Sequence, residues 1–494
     1  MEDVYSALSK INAHKSGGVD EVLPWMLAFG GDAIVRVLHH MLSSLWSMCY
    51  IPRQWRQALI VPIYKKGDKA DPGNYRPISL LSVVGKVLSR VVNDKIYERM
   101  EELGLLPDEQ GGFRRGRGAP EMILALYSLC ETRRISRRST HLAFLDVKKA
   151  YDTVNRSGLM IRMFELGTPA KLMALVKQWY SGDSACVSMG GLRSAWFDVD
   201  LGVKQGDISS PILFSCYING VVKLFDSEKD LGVDLGDGQK RLCIQLFADD
   251  MILFAESGPM LQRMLDIMTT FVDGVRLKLS TGMLQEKSAV MVYGSASVPR
   301  FVPDEEHFRV CGQPIPFVDR YEYLGVVLHN EGSWLPQADH LRSAVGKRLH
   351  EMRRAGMNKY GLPVTRGREL VRTEINPILE FASAVWLMSP VQLDRVTAIW
   401  NKSVRYAAGV PCHTSIEPVI GDLDLLEGML KPRFMQYRLT MWHRIIRMDD
   451  TRMVKRCYKL WGDRNHGQFG NPRFSPSSNW KERICQDLQL LGWL

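Results

Sequence analysis

Short apolar runs that end in acidic residues are the most informative pattern along this chain. The mainly apolar runs 242–246 and 251–255 flank the acidic pair Asp249–Asp250. Runs of this length predict buried strands, and the polar pair between them predicts the tip of a β-hairpin. Because a tight turn interrupts the alternation of side chains along a strand, it can bring two adjacent carboxylates toward one point. Such a pair needs a neutralising cation, and Mg²⁺ prefers oxygen ligands of this kind.

A second acidic position lies far upstream. The apolar segment His141–Val147 predicts a strand that carries Asp146 near its end, and residues 148–155 predict the start of a helix or a turn. Three carboxylates from two separated strands are the ligand set of two-metal phosphoryl transfer, in which one metal activates a 3′-hydroxyl and the other steadies the leaving pyrophosphate. Taken alone, each acidic position has a plainer interpretation, either a solvated turn or a structural Asp at a strand end.

Helical periodicity predicts most of the remaining elements. Residues 79–100 carry an amphipathic helix pattern, residues 158–180 carry a second one, and residues 330–412 show helix patterns without strand alternation. Within the last region, Leu341, Val345, Leu349 and Met352 form one apolar stripe, which is expected to face a core. Trp386, Trp400 and Tyr406 are also predicted to be core residues.

Eight short motifs follow one another along most of the chain. They are Lys15–Asp20, Asn74–Leu81, Glu109–Arg117, Phe144–Asp152, Gly202–Asp207 with Ser210–Pro211, Phe247–Asp250, Lys287–Ser288 with Val290–Val292, and Tyr323–Val326. Their order and wording resemble the reverse transcriptases of non-LTR (LINE-type) retrotransposons, although that family has Pro where Gly18 stands here. The Phe-Ala-Asp-Asp wording of residues 247–250 and the wording of residues 75–81 disfavour a group II intron reverse transcriptase.

The resemblance implies an α+β fold of the right-hand polymerase type, with an antiparallel palm sheet and a helical thumb. Residues 1–140 would form the fingers and the start of the palm, and residues 141–328 the palm with its catalytic carboxylates. Residues 329–412 would form the helical thumb, and residues 413–494 a helical, basic C-terminal tail of unassigned role.

The implied function is RNA-directed DNA polymerase activity, which extends a primer 3′-end on an RNA template by two-metal nucleotidyl transfer. The cofactor would be Mg²⁺, as two ions, with Mn²⁺ as an alternative. The partners would be an RNA template, a DNA primer or nicked target DNA, and deoxynucleoside triphosphates. The alternative is a catalytically silent or maturase-like RNA-binding protein derived from a reverse transcriptase, but a binding-only protein has no need for all three carboxylates.

The same resemblance implies a role for individual residues. The catalytic group comprises Asp146, Asp249, Asp250 and Lys287, and the metal ligands are the three carboxylates with the Val147 main-chain carbonyl. Lys287 would protonate pyrophosphate. The implied nucleotide-binding residues are Lys65, Arg76, Val147, Tyr151, Gln205 and Gly206.

Three of these assignments retain alternatives. Lys66 adjoins Lys65, so either of them can be the lysine that grips the triphosphate together with Arg76. The Tyr151 ring would exclude a ribose 2′-hydroxyl, or would be an ordinary packed tyrosine. Residues 205–207 would contact the nucleotide and the templating base, where glycine permits close backbone approach, or would form a simple turn.

Two arginine clusters are candidates for nucleic-acid binding. Arg114, Arg115 and Arg117 are expected to follow template phosphates. A second cluster, formed by Arg133, Arg134, Arg137 and Arg138, reads equally well as a solvated basic helix face.

Composition agrees with this function without establishing it. The chain has 494 residues, a net charge of +10 and a pI near 9.1, which suit two or three subdomains and a polyanionic partner. Its nine cysteines show neither a disulfide framework nor zinc-ligand spacing, so a reducing compartment, nuclear or cytoplasmic, is expected. No signal peptide, membrane span or nuclease domain is apparent. The expectation is therefore a fragment of a longer element or a stand-alone remnant.

Overall fold

The computed structural model describes residues 1–65, 67–281, 287–294, 308–354, 363–425, 429–461 and 480–491. Within these ranges the chain forms a helical N-terminal part, two sheets of more than two strands with their surrounding helices, and a helical C-terminal part. The predicted mixture of helices and antiparallel sheet is confirmed.

The N-terminal part contains a strand hairpin that the sequence pattern did not predict. Its elements are α1 (Glu2–Ser9), α2 (Pro24–Ala28), α3 (Gly31–Met48), α4 (Arg53–Arg56), β1 (Ala58–Tyr64), a 3₁₀ turn (Pro72–Asn74), β2 (Tyr75–Leu80), α5 (Val83–Glu102) and α6 (Ala119–Ile135). The helix predicted from residue 79 begins only at Val83, because Ser79 and Leu80 complete β2. The Ser82 hydroxyl then caps α5 by accepting a hydrogen bond from the Gly85 amide.

The central part holds most of the strands. Its elements are β3 (Thr140–Asp146), a 3₁₀ turn (Ala150–Thr153), α7 (Arg156–Glu165), α8 (Ala170–Trp179), β4 (Ser184–Met189), β5 (Leu192–Arg193), β6 (Phe197–Asp198), α9 (Ser210–Ile218), α10 (Gly220–Asp226), β7 (Ile244–Phe247), β8 (Asp250–Ala255), α11 (Gly258–Gly274), β9 (Ala289–Tyr293), β10 (Arg309–Val310), β11 (Gln313–Pro314), β12 (Arg320–Tyr323) and β13 (Val326–His329). The helix predicted over residues 158–180 is divided in two. Gly167, at φ 66°, ends α7, and Pro169 precedes α8.

One four-stranded antiparallel sheet, in the order β7-β8-β3-β9, forms the centre of the molecule. Alternate residues of its middle strands face two different cores. Leu145 and Leu253 belong to the core that includes α11, whereas Phe144 and Phe254 belong to the core that includes α6. Because both faces are covered, these strands read as continuous apolar runs rather than as alternating ones.

A second sheet, in the order β2-β1-β4-β5 with β6 also paired to β4, joins two parts of the chain: β1 and β2 come from the part predicted as fingers and early palm, and β4, β5 and β6 come from the part predicted as palm. Its β1 and β2 are antiparallel and pair along their whole length, from Leu59↔Leu80 to Tyr64↔Tyr75. Strand β1 also pairs in parallel with β4, which comes more than a hundred residues later. This pairing ties the N-terminal hairpin to the centre of the chain.

Helices are the regular elements of the C-terminal part in its described ranges. It contains α12 (Leu335–Arg354), α13 (Val364–Leu370), a π-helical turn (Val371–Ile375), α14 (Asn376–Glu380), α15 (Pro390–Ala408), α16 (Ile416–Asp422), α17 (Leu430–Ile446), α18 (Met453–Lys459) and α19 (Trp480–Leu490). The predicted apolar stripe on α12 is buried along its length, as are Trp386 and Trp400. Tyr406 is only half-buried, with the Arg353 guanidinium 5.1 Å from its ring centroid. None of the described helices combines the length and the apolarity needed to cross a bilayer.

The helices of the C-terminal tail fold back onto the rest of the molecule. Helix α18 packs against α6, and its Cys457 is fully buried. Arg456 donates to Asp237 at 2.6 and 3.2 Å and to the Lys240 carbonyl at 2.7 Å. The Arg456 side chain is 5% exposed, so these bonds satisfy a buried cation. The tail is therefore part of the packed structure.

We expect Arg456→Ala to lower the free energy of unfolding by about 1–3 kcal/mol, because it removes charge-assisted bonds and leaves polar groups without a partner. Arg36→Ala, at an exposed position of α3, is the matched control and should change stability by less than about 0.5 kcal/mol. Chemical denaturation of the two variants beside wild type is the measurement. Equal effects would show that the Arg456 contacts contribute nothing to folding.

Candidate active site

The two acidic segments meet at one end of β3 and β8, the middle strands of the four-stranded sheet. Strands β3 and β8 run side by side, and their register sets Asp146 directly opposite Asp250. Phe247 pairs with Asp250 across the β7–β8 hairpin, so Ala248 and Asp249 form its loop. Ala248 has φ 59°, in the left-handed region that non-glycine residues rarely adopt. The predicted hairpin tip is confirmed, and it carries Asp249 beside the opposed pair.

Burial and mutual repulsion raise the pKa values of two carboxyl groups. The pKa of Asp250 rises to about 7, first through desolvation and then through the Asp249 and Asp146 carboxylates. Desolvation is also the main cause of the raised pKa of Asp249, and Asp146 adds to it. Both groups are thus costly to ionise together unless a cation is present.

Asp146 is held by three neighbours from a later part of the chain. Its Oδ2 accepts a hydrogen bond from Ser280 Oγ at 2.7 Å, and its main-chain amide donates to Ser288 Oγ at 3.2 Å. Lys287 Nζ lies 3.1 and 3.0 Å from the two carboxylate oxygens. The predicted catalytic lysine therefore meets the predicted metal ligand directly.

The carboxylate donor set fits a hard divalent cation, but the ligands are not preassembled around one point. Across the ranges that the structure describes, no three His, Cys, Asp or Glu side chains converge closely enough to hold an ion. At Asp146 the Lys287 ammonium supplies the positive charge. Since the Lys287 side chain is 64% exposed, it can withdraw into solvent at little cost when another cation replaces it.

The Val147 carbonyl is the other predicted ligand, and its residue is fully enclosed in the fold. Val147 is 2% exposed and lies opposite Leu279 in an isolated antiparallel bridge. On either side, the Asp146 carbonyl accepts from the Ser280 amide and the Lys148 amide donates to the Lys278 carbonyl, at 2.8 and 2.7 Å. These two bonds fix the backbone around Val147.

A basic cleft of about 1140 Å³ adjoins the carboxylates, because Ser280 and Lys287 of its lining both bond Asp146. Among its lining residues are the predicted Lys65, Arg76, Gln205 and Lys287, together with Asn74, Lys148, Lys149, Asp152 and Ser280, which were not predicted. The pKa of Lys65 is lowered by burial and then by the charges of Arg76 and Lys287. A lysine whose charged form is disfavoured by neighbouring cations is suited to binding an anion. Lys66, the alternative to Lys65, lies outside the described residues.

Tyr151 occupies the 3₁₀ turn after β3. Its ring stacks on Phe214, with centroids 5.4 Å apart and planes 15° apart, and meets Phe113 edge-on at 6.4 Å. Burial raises the pKa of its phenol, and the Asp249 carboxylate adds to that shift. The ring is therefore packed on one side and close to the acidic cluster on the other. A packed tyrosine and a ring that excludes a ribose 2′-hydroxyl are thus compatible interpretations.

Gln205 and Gly206 lie where the second sheet meets the cleft. Gln205 Nε2 donates to Asp152 Oδ1 at 3.1 Å, and the Gln205 carbonyl accepts from the Ser79 amide at 2.7 Å. Gly206 has φ 122°, and a Cβ there would lie 2.6 Å from the Ser79 carbonyl oxygen. The close approach that requires glycine is thus made to β2 of the protein itself.

Most side chains of the first arginine cluster form hydrogen bonds and ion pairs within the protein. Arg114 is buried and donates to Glu101 and to the Leu106 and Pro107 carbonyls. Arg117 is paired with Asp108 at 2.6 Å, and its side chain is 9% exposed. As placed, neither presents its guanidinium to a template, because each neutralises an acidic neighbour. Arg115 is 54% exposed and remains the candidate of this cluster, although it also pairs with Asp94.

The second cluster divides in the same manner. Arg133 pairs with Glu256 and Arg134 with Glu131, whereas Arg137 and Arg138 are exposed. Only the latter two fit the interpretation as a solvated face.

Several residues around the site were missed from sequence. Ser280 bonds Asp146, the Tyr321 hydroxyl donates to the Lys287 carbonyl at 2.5 Å, and Gln110 bonds the hairpin loop. Ser280 and Tyr321 fall between motifs, where no local pattern marks them. Gln110 lies inside the motif Glu109–Arg117, whose arginines drew the prediction instead.

Comparison with known proteins places this chain in a family. Residues 63–328, just over half of the chain, match the family described as reverse transcriptase (RNA-dependent DNA polymerase). The chain is 23% identical over 430 residues to the RNA-directed DNA polymerase from mobile element jockey of Drosophila funebris, covering 86% of this chain and 45% of that protein. It is 27% identical over 281 residues to the Pol polyprotein of the type-1 retrotransposable element R2 of Popillia japonica, covering 56% of this chain and 38% of that protein. The predicted resemblance to non-LTR retrotransposon reverse transcriptases is confirmed.

The chain spans less than half the length of these two relatives. Among solved structures, the apo telomerase of Candida tropicalis aligns with a TM-score of 0.40 and 13% identity, covering 59% of this chain and 58% of that one.

We expect Asp250→Asn to stabilise the metal-free protein at high pH. The folded pKa of Asp250, about 7, lies above its ordinary value of 3.8, so the folded state binds more protons and loses stability as pH rises between these values. The variant lacks this loss and should be more stable than wild type by roughly 1–3 kcal/mol near pH 8, and no more stable near pH 4. Thermal unfolding in EDTA at the two pH values is the measurement. A variant less stable than wild type at pH 8 would contradict the repulsion.

Proposed function

We propose that this chain, which belongs to the reverse transcriptase (RNA-dependent DNA polymerase) family, is an RNA-directed DNA polymerase that extends a primer 3′-end along an RNA template. The observation that carries the proposal is the position of Asp146 opposite Asp250, with Asp249 on the adjoining hairpin loop. In this proposal residues 1–140 serve as fingers and early palm, residues 141–328 as palm and residues 329–412 as thumb. The partners are an RNA template, a DNA primer or nicked target DNA, and deoxynucleoside triphosphates.

Divalent metal ions are general cofactors of this family, and we propose two Mg²⁺ ions here, with Mn²⁺ as an alternative. Asp146, Asp249, Asp250 and the Val147 carbonyl would hold them. When bound, the ions would lower the pKa of the primer 3′-hydroxyl and neutralise charge on the leaving pyrophosphate. The raised pKa values of Asp249 and Asp250 support this assignment, because repelling carboxylates gain most from a shared cation.

The basic cleft is the proposed site for the incoming nucleotide. Lys65 and Arg76 would bind its triphosphate, and Gln205, held by Asp152, would orient the base or sugar. Lys287 would leave Asp146 when the metal binds and would then be free to protonate pyrophosphate. Tyr151, fixed by Phe214, would stand against the 2′ position of the sugar.

The compartment proposed for this activity is the nucleus or the cytoplasm. All nine cysteines lie in described parts of the chain and are free thiols, and five of them are buried. Such a set supports a reducing environment.

The first test of catalysis is Asp249→Asn. Primer extension on an RNA template should fall by at least about a hundredfold, because one ligand of the charge-stabilising ions is lost. RNA affinity should stay within about twofold, since phosphate contacts dominate binding. Asp266→Asn, at an exposed position of α11, is the matched control and should extend normally. Substantial primer extension by purified Asp249→Asn protein would contradict the assignment of Asp249 as a metal ligand. A wild-type protein that binds RNA but does not extend primers would favour the maturase-like alternative.

The second test concerns sugar selection. Tyr151→Ala should reduce the preference for deoxyribonucleotides over ribonucleotides about 10-fold or more, because it removes the steric block at the 2′ position. Tyr151→Phe keeps the ring and should keep the preference. Single-nucleotide incorporation of deoxyribonucleotides and ribonucleotides by wild type and the two variants gives this preference for each protein. An active Ala variant with unchanged preference would assign Tyr151 to packing alone.

A further inference from the structure

Residues 109–112, which we term the edge segment, extend the four-stranded sheet beyond β7. The Gly111 amide donates to the Leu246 carbonyl, and the Leu246 amide donates to the Glu109 carbonyl, each at 2.8 Å. Gln110 and Leu246 thus form a parallel bridge next to the strand that leads into the Ala248–Asp249 loop. The edge segment therefore lies beside that loop, although about 140 residues separate them in sequence.

The Gln110 side chain binds the loop itself. Its Oε1 accepts hydrogen bonds from the Gly112 amide at 2.8 Å and from the Ala248 amide at 3.0 Å. Its Nε2 donates to Asn219 Oδ1 at 3.2 Å, and the residue is fully buried. One oxygen therefore serves two main-chain amides, one in the edge segment and one in the residue immediately before Asp249. In a buried site an amide without an acceptor is strongly disfavoured, so this bond restrains the loop.

Gly112 brings the two backbones into direct contact. A Cβ at this position would lie 2.4 Å from the Ala248 nitrogen and 3.0 Å from the Phe247 carbonyl carbon. The loop residue Ala248 has a left-handed φ of 59°, which needs support from its surroundings to persist. The edge segment supplies that support by contact and by hydrogen bonding.

The edge segment is itself anchored by residues from elsewhere in the chain. Asp108, just before it, forms ion pairs with Arg117 and Arg452, each at 2.6 Å, and accepts a hydrogen bond from the Met453 amide. Glu109 pairs with Lys240 Nζ at 2.7 Å. The C-terminal tail thus contributes to holding the segment that supports the loop.

We propose that Gln110 is a positioning residue for nucleotidyl transfer: it holds the Ala248–Asp249 loop so that Asp249 stays beside Asp146 and Asp250. The inference rests on the proposed function for its catalytic consequence. Its structural consequence, the position of Asp249 relative to Asp146 and Asp250, can be measured through the binding of a divalent ion, without any reaction.

The test compares Gln110→Leu with Gln245→Leu. Gln245 is also fully buried and lies on β7, but its amide binds the Met122 carbonyl and the Tyr323 hydroxyl, away from the loop. Both variants lose buried polar contacts, so both should lose thermal stability to a similar degree. Only Gln110→Leu should lower kcat, by about 10- to 100-fold, with the KM for deoxynucleotide nearly unchanged, because small displacements of reacting groups have effects of this size.

A second readout uses Mn²⁺ alone. Binding to the resting protein, followed by the electron paramagnetic resonance signal of the free ion, should weaken several-fold in Gln110→Leu and stay near wild type in Gln245→Leu. If the two variants match in both kcat and Mn²⁺ affinity, Gln110 only stabilises the fold and the proposal is overturned. If wild type binds Mn²⁺ but does not extend primers, the proposed function fails while the binding comparison still decides the role of Gln110.

Gln110→Met covers the case in which Gln110→Leu does not fold. Methionine matches glutamine in length and adds no charge beside Asp249, but its thioether is only a weak acceptor for the two amides. This variant should therefore lower kcat by about 10-fold or more, as Gln110→Leu does. A folded Gln110→Met protein with the kcat of wild type would show that the acceptor bonds to the loop are not what matters, and would overturn the proposal.

Discussion

The repulsion between three neighbouring carboxylates is the constraint on which the rest of this structure depends. Asp146 and Asp250 face each other across two paired strands, and Asp249 lies on the two-residue loop just before Asp250. Groups that repel one another stay together only if the backbone cannot move apart. The surrounding sheet meets that need, because it is covered on both faces by separate cores and its middle strands are paired on both sides.

The opposite charge pattern lies next to the carboxylates. Lys65 and Arg76 come from the β1–β2 hairpin, and Lys287 comes from the segment before β9. Burial and then the charges of Arg76 and Lys287 lower the pKa of Lys65, just as burial and the neighbouring carboxylates raise the pKa of Asp250. In this structure, the ion pair between Lys287 and Asp146 offsets part of the repulsion within each cluster. An acidic cluster next to a basic one is the arrangement that the proposed ligand, a nucleoside triphosphate with its metal ions, would require.

Support for the acidic loop comes from unexpected parts of the chain. The edge segment lies inside a motif whose arginines suggest template binding, yet Arg114 and Arg117 bind Glu101 and Asp108 within the protein. The same Asp108 receives Arg452 from the C-terminal tail. Arg114 and Arg117, which were predicted to bind nucleic acid, thus bind acidic partners within the protein, because buried cations need such partners.

The sequence by itself determined the family and the class of fold. The apolar runs beside Asp146 and Asp249–Asp250 predicted the strands and the hairpin tip, and the order of the motifs predicted the family, because both signals are local along the chain. It could not determine the β1–β2–β4 pairing, the true start of α5 at Val83 or the break between α7 and α8, since local patterns do not record partners far away. Only the tertiary structure decided which arginines are internal, that Ser280 holds Asp146, and that Gln110 holds the loop. Those roles depend on burial and on a neighbour's free hydrogen-bonding group, and both arise only when distant segments pack together.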